Sequence, residues 1–543
     1  MSLKRRLGRI GAAAVTAVSL FAMAAQAPAT VAAASLCVGG SGCYSTLGAA
    51  IAAAHDGDTI TIGPGTFAGG VTIPISVRLV GAGAASTIIK GGGPVLTIGT
   101  LFAAEEPTVR ISGVTITGGV TRGSALSVNA FGVPGVYALG GGIEIPQSEN
   151  FGLGASVTIS DSVISGNRAA PTTTKPIGPP CPSGPCPFAA AWGGGIDTWG
   201  DLTLTRSAVS HNSVGSATGL SDIASDTEGA GINAWQGDLQ VHDSAIVANT
   251  AAGTAPNGRF AGAGGIFVRS GSFVMDGSTV SGNRATLAAA LPDSVETSAV
   301  AAGIHIGDGV TSAKISHSTI ADNTVSMTNR VGSSNAFSGG VHVDGIPFSM
   351  TDSIVSGNIA SSVTLPGSTG DAGVDSGAGE LNGTISDTRF EGNVASSRSA
   401  AGNAWTGGGA SIFSGTLTGS VFDGNEAIAT SVHGWTYASG GALVAGDGGI
   451  TFHDTSVHGN AARAYGHTSS TVQGGGVYDV LTDDGPPGGP LVFVDSSVTS
   501  NVAAGAPGAT LQGGGVYVSG WAVTLTHSVI AHNVPDQCFG FSC

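Results

Sequence analysis

Gly193-Gly194-Gly195-Ile196, followed by Leu202-Thr203-Leu204, Ser207, Val209 and Asn212, is one copy of a unit that recurs along the chain. Another copy reads Gly513-Gly514-Gly515-Val516, Val523-Thr524-Leu525, His527-Ser528, Val529 and Asn533. The closing asparagines fall at Asn167, Asn212, Asn249, Asn283, Asn323, Asn358, Asn393, Asn425, Asn460, Asn501 and Asn533, spaced 32 to 45 residues apart. A repeat of this length implies a stack of similar units, none of which can bury its apolar face alone. The segment from triplet to asparagine is regular. The remainder, up to the next triplet, varies in length and reads as loops leaving one corner of a coil.

Within each unit, short β-branched runs alternate with Gly, Asn and Ser, which indicates strands rather than helices. Three strands per turn, stacked turn on turn, give parallel sheets with each inward aliphatic packed on its equivalents above and below. The fold class is therefore all-β: a single-stranded right-handed parallel β-helix (solenoid) with an N-terminal capping helix. Glycines permit the corners, and stacked asparagines form a hydrogen-bonded ladder, a structural role. The Asp/His-Ser steps, such as Asp161-Ser162, Asp243-Ser244, His317-Ser318 and Asp352-Ser353, are corners too.

Ahead of the first triplet, Thr46 to Ala54 is a short amphipathic run that covers the open end of the core. At the N-terminus, Lys4-Arg5-Arg6 and Arg9 precede an apolar run from Ile10 to Ala25 and Ala-x-Ala sites, the pattern of a secretory signal peptide over 1–34. The Arg5-Arg6 pair leaves general and twin-arginine export both open. The β-helix then occupies 35–543, with a cap at 35–58 and about eleven clear rungs from 140 to 533. Cysteines pair closely in sequence as Cys37 with Cys43, Cys181 with Cys186, and Cys538 with Cys543, which in an exported chain reads as three local disulfides. No later stretch is long and apolar enough to span a membrane. The net charge of −16 argues against nucleic acid and anionic lipid as partners and does not favour a polyanionic substrate either.

The segment His55 to Gly119, with Gly57-Asp58-Thr59-Ile60, Gly63-Pro64-Gly65-Thr66-Phe67 and Ile111-Ser112-Gly113-Val114-Thr115-Ile116, resembles the start of pectin-lyase-like β-helix proteins. Gly440-Gly441-Ala442-Leu443, Phe390-Glu391-Gly392-Asn393 and Phe422-Asp423-Gly424-Asn425 resemble the repeats of polymorphic outer membrane proteins. The resemblance implies fold more than function. Its relatives include polysaccharide hydrolases, lyases, epimerases and transferases, and adhesins.

Because side chains alternate along a strand, the residue after each triplet's aliphatic points outward. Read from rung to rung, that column is Glu144, Asp197, Asn233, Phe267, His305, His342 and Asp375, and the next includes Trp199, Trp235, Arg269, Asp344 and Phe413. In a chain only 10% charged, this face collects acids, imidazoles and indoles. Trp199 and Trp235 sit in adjacent rungs and offer sugar rings an apolar platform; the alternative is a mutual stack that merely covers the sheet. Trp192, Trp405, Trp435, Tyr437 and Tyr465 fall in loops that would wall the face into a groove.

Asp197, Trp199, Asn233, Trp235 and Arg269 are the candidate substrate-binding residues. His305, His342, Asp344 and Asp375 are the candidate acid and base groups, with Asp344 and Asp375 roughly 8 Å apart on strand geometry, a spacing that suits an inverting carboxylate pair. Solvated residues without a role are the alternative, and two histidines and a carboxylate could also hold a metal; the preferred reading requires no metal or other cofactor. The expected partner is an extracellular polysaccharide, cleaved by a hydrolase ahead of a lyase or epimerase because Arg269 is the lone cation in these columns. The rival reading is a non-catalytic adhesive surface protein.

Overall fold

The computed structural model describes residues 33–128, 134–172, 188–215, 224–254, 258–293, 297–446, 448–479 and 489–543. All but the last two residues of the signal segment, together with Cys181 and Cys186, lie outside the described residues. The other two disulfides, Cys37–Cys43 and Cys538–Cys543, are present at the two ends of the stack.

Strands pair in parallel from coil to coil, so the protein is a parallel β-helix. In one coil the strands are Ile196–Thr198, Leu202–Thr205, Ala208–Ser210, Ser213–Gly215 and Ala224–Glu228. We call the ladders that these strands build the triplet, second, third, outgoing and returning ladders. In some coils the first two strands run together, as in Ile266–Asp276 and Ile304–Ser316.

The five ladders correct the expectation of three strands and a loop. The supposed loops are mostly the outgoing and returning strands, which form an 11-stranded and a 12-stranded sheet. Their mutual packing hid them from the sequence pattern. Alanines such as Ala251, Ala261, Ala285, Ala299, Ala395 and Ala438 fill the space between these two sheets, in place of the large aliphatics that mark a strand. Hydroxyl pairs such as Ser397 with Thr406 (2.6 Å) and Ser362 with Ser334 (2.9 Å) are buried among them.

The main core lies inside the coil, where like stacks on like. Ile196, Ile232, Ile266, Ile304 and Val341 form one column by register, and Phe390 and Phe422 stack at 4.6 Å in another. Each fully buried side chain of this size contributes roughly 1.5–3 kcal/mol. Helix Leu47–Ala53 closes the N-terminal end, with Leu47, Ala50 and Ile51 buried and the Thr46 hydroxyl accepting from the Ala49 amide.

Polar corners are satisfied just as regularly. Each buried asparagine donates from Nδ2 to Oδ1 of the next at 2.9–3.1 Å, from Asn167 through to Asn533, where Gln537 ends the ladder. Ser207 donates to the Thr205 carbonyl and accepts from the Ser162 amide, and the same pattern recurs at Ser244. The preceding residues Asp161, Arg206, Asp243 and His317 all adopt φ near +48°, where the chain turns. Gly193 turns the triplet corner at φ +60°, and a Cβ on Gly195 would lie 2.5 Å from the Gly231 carbonyl oxygen of the next coil.

Candidate functional site

The outward face of the triplet ladder is not open to solvent. The returning ladder rises beside it, and the residues expected to be exposed lie in the corner between the two. Asp197 and Asn233 are fully buried, and Phe267, His305 and His342 nearly so.

Register alters the column of candidates at one place. Val341 pairs with Gly379 and His342 with Glu380, so Glu380 follows His342. Asp375 lies beyond the end of the returning strand Ala372–Val374, ahead of the triplet rather than after it. Ala372-Gly373-Val374 imitates a small-small-aliphatic triplet, which shifted the reading by one structural element. Asp375 still reaches the same neighbourhood. Burial, reinforced by the Glu380 charge and opposed by His342, pushes its carboxyl up to about 7.

The tryptophans stack on one another. Trp199 and Trp235 are parallel at 5.2 Å, Trp192 of the returning ladder meets Trp235 at 4.6 Å, and Tyr137 adjoins Trp192 at 5.5 Å. Arg269 covers the remaining approach to Trp235 at 4.8 Å. Trp235 is thus a buried centre rather than an exposed platform, and Trp199 is the half-open edge of the stack. Trp192, Trp405 and Tyr437 belong to strands Phe188–Trp192, Ala404–Thr406 and Thr436–Ser439, not to loops. Phe413 is exposed.

Beside the indoles is a group of buried acids. Asn233 Nδ2 donates to Asp197 Oδ1 at 2.7 Å. Burial, opposed by that bond and reinforced by Glu144, raises the Asp197 carboxyl to about 8; burial raises Glu144 to about 7. From the returning strand Ala224–Glu228 come two acids that the reading of the triplet columns missed. Burial pushes Glu228 up to about 8, with Asp226 and Asp197 adding to the effect and Arg269 opposing it; burial pushes Asp226 to about 7 against Arg259. These groups are protonated or titrating near neutral pH. Their period-two spacing just before Gly229-Ala230-Gly231 was a usable signal once the returning strand was known.

Around these acids, several buried polar atoms lack a hydrogen-bond partner: Trp192 Nε1, Trp235 Nε1, Asp197 Oδ2, Glu228 Oε2, Asn233 Oδ1 and His305 Nδ1. Such a concentration of unmatched donors and acceptors suits a place where water or ligand atoms complete the network.

The second group is built on His342 and Asp344. Asp344 Oδ1 lies 2.9 Å from His342 Nε2, and Oδ2 lies 3.3 Å from Nε2 of His305, the register partner of His342 one coil earlier. His342 Nδ1 faces Glu380 Oε2 at 3.2 Å. Burial works to raise the Asp344 carboxyl, but the two imidazoles outweigh it and hold the group below the usual carboxylate range. Burial lowers His305. Burial also disfavours charge on His342, but the Asp344 hydrogen bond and the Glu380, Asp344 and Asp375 charges together raise it.

Both groups border one cavity of about 420 Å³, lined on the returning side by Asp226, Glu228, Arg259 and Phe260 and on the triplet side by Phe267, Arg269, His305 and Asp344. An acid held neutral and a carboxylate held ionised therefore face one cavity together with two guanidinium groups. Among the described residues no helix is long and apolar enough to cross a membrane.

No family model and no curated protein matches the chain. Among solved structures it is similar to pectin methylesterase from carrot (12% identity, 63% of this chain and 82% of that one, TM-score 0.18). It is also similar to the Azotobacter vinelandii mannuronan C-5 epimerase AlgE4 A-module (13%, 89% and 89%, 0.24). A third match is the catalytic domain of a GH87 alpha-1,3-glucanase in complex with tetrasaccharides (12%, 90% and 68%, 0.26). At such identities and scores the likeness carries no argument about chemistry, which rests on the residues above.

Proposed function

We propose that the chain is an exported enzyme that cleaves a polysaccharide by acid–base chemistry in the corner between the triplet and returning ladders. The observation that carries this reading is one cavity bordered on one side by Glu228, protonated at neutral pH, with Asp226 titrating beside it, and on the other by ionised Asp344. Carboxyl groups driven apart in pKa by their surroundings supply acid and base at one pH. Glu228 is the general acid that protonates the glycosidic oxygen. The His305–Asp344–His342 group supplies the base that activates water, the division of labour of an inverting glycoside hydrolase.

Arg259 and Arg269 favour a glycan that bears carboxylates, since guanidinium groups pair with them in two-point geometry. Trp199 at the open edge of the aromatic stack meets an apolar sugar face, while Trp235 supports Trp199 and Arg269 from behind.

The test is a panel of neutral and acidic polysaccharides incubated with wild type, Glu228→Gln and Asp344→Asn, assayed for new reducing ends and for the ultraviolet absorbance of unsaturated products. Reducing ends without unsaturation, lost by roughly 10²–10⁴-fold in Glu228→Gln, are expected. Unsaturated products would replace hydrolysis by elimination. Binding without product from any glycan would leave an adhesive protein and end the enzyme reading.

A further inference from the structure

His342 and Asp344 lie two residues apart on one extended segment, so their side chains leave the same face, and His305 joins them from the neighbouring coil. His305, His342 and Asp344 each offer one ligand atom, a ring nitrogen or a carboxylate oxygen, and the three atoms lie within 4.8 Å of one another. The separations of Asp344 Oδ1 from His342 Nε2 (2.9 Å) and of Oδ2 from His305 Nε2 (3.3 Å) are close to the ~3.4 Å between donors on a tetrahedral ion with bonds of about 2.1 Å.

The surroundings of His342 strengthen the case. Its Nδ1 faces the Glu380 carboxylate at 3.2 Å and the Ser338 hydroxyl at 3.2 Å. A carboxylate on the far nitrogen is the arrangement that orients metal-bound imidazoles and raises their basicity. On the other side, His305 and Asp344 line the cavity, so coordination positions beyond the three ligands open into it.

We propose that His305, His342 and Asp344 bind one divalent transition-metal ion of the zinc class. Two imidazole nitrogens in three donors select such an ion over calcium or magnesium, which take oxygen. The site goes beyond the acid–base reading and does not depend on it; where both hold, metal-bound water takes the part of the base.

The full chain is stripped with a chelator and titrated with Co²⁺ by visible absorption and with Zn²⁺ by calorimetry. One equivalent binds at micromolar concentration or below. His305→Gln and His342→Gln each lose it by at least 100-fold while far-ultraviolet circular dichroism shows the β-helix still folded. Glu380→Gln weakens it 10- to 100-fold. His317→Ala, on the exposed corner beside Asp276, leaves it intact. The absence of saturable binding below millimolar metal overturns the site, as does binding that survives both histidine variants. Occupancy is read without a glycan. A chain that takes Co²⁺ but cleaves nothing therefore removes the enzyme reading alone, and one that cleaves a glycan but takes up no Co²⁺ removes this inference alone.

Discussion

Glu228→Gln tests the corner site through stability, independently of any substrate. The Glu228 carboxyl is carried from its ordinary 4.5 to about 8, chiefly by burial, with Asp226 and Asp197 adding repulsion and Arg269 relieving part of it. The folded chain therefore holds this proton more tightly than the unfolded chain. Stability from this group is fully present below pH 4.5, declines as pH rises, and is lost once pH passes 8. At ~1.4 kcal/mol per pH unit, the difference amounts to about 3 kcal/mol at pH 7 and about 5 kcal/mol above pH 8. Glutamine keeps the shape and cannot ionise. The variant should match wild type near pH 4.5 and exceed it by several kcal/mol at pH 9, in urea denaturation followed by circular dichroism. The same substitution abolishes cleavage if Glu228 is the general acid, so stability and activity move in opposite directions. A wild-type-to-variant gap that is equal at pH 5 and pH 9, or a variant less stable at pH 9, would refute the burial argument.

Asn323→Ala breaks the asparagine ladder at its middle. The Asn283 amide loses its acceptor and the Val280 carbonyl its donor, both in buried surroundings. At about 1–3 kcal/mol per orphaned group the cost is ~2–6 kcal/mol, seen as faster amide hydrogen exchange in the coils around Asn283 and Asn358; unchanged exchange would mean the ladder is incidental. Gly195→Ala drives a Cβ against the Gly231 carbonyl and costs about 1–3 kcal/mol in denaturation, whereas Gly392→Ala meets nothing within 4 Å and suffers only its backbone strain at φ +60°. Arg269→Ala weakens binding of carboxylate-bearing glycans about tenfold and leaves neutral ones unchanged in affinity electrophoresis. Equal loss for both would assign Arg269 to packing on Trp235.

The coil interior was legible because burial inside a stack demands the same residue type at the same place in every turn. Ile196, Ile232, Ile266 and Ile304 advertise one column, and Asn212, Asn249 and Asn283 another. The outgoing and returning strands were not legible, because two sheets packed closely on each other accept alanine and serine, which carry no strand signature. That gap also affected the site. Asp226 and Glu228 lie on a strand that read as a loop, and Ala372-Gly373-Val374 passed for a triplet, placing Asp375 where Glu380 stands.

By itself, then, the sequence determined the repeat, the parallel β-helix, its capping helix and the column that brings His305 beside His342, all consequences of local periodicity. Only the tertiary structure decided that this column is covered rather than exposed. The returning ladder is held in place by its packing on the outgoing ladder and by pairing with its own equivalents a coil away, neither of which the sequence pattern displays. Burial in the corner between the triplet and returning ladders is what turns Asp197, Asp226 and Glu228 from ordinary surface carboxylates into acids protonated or titrating near neutral pH.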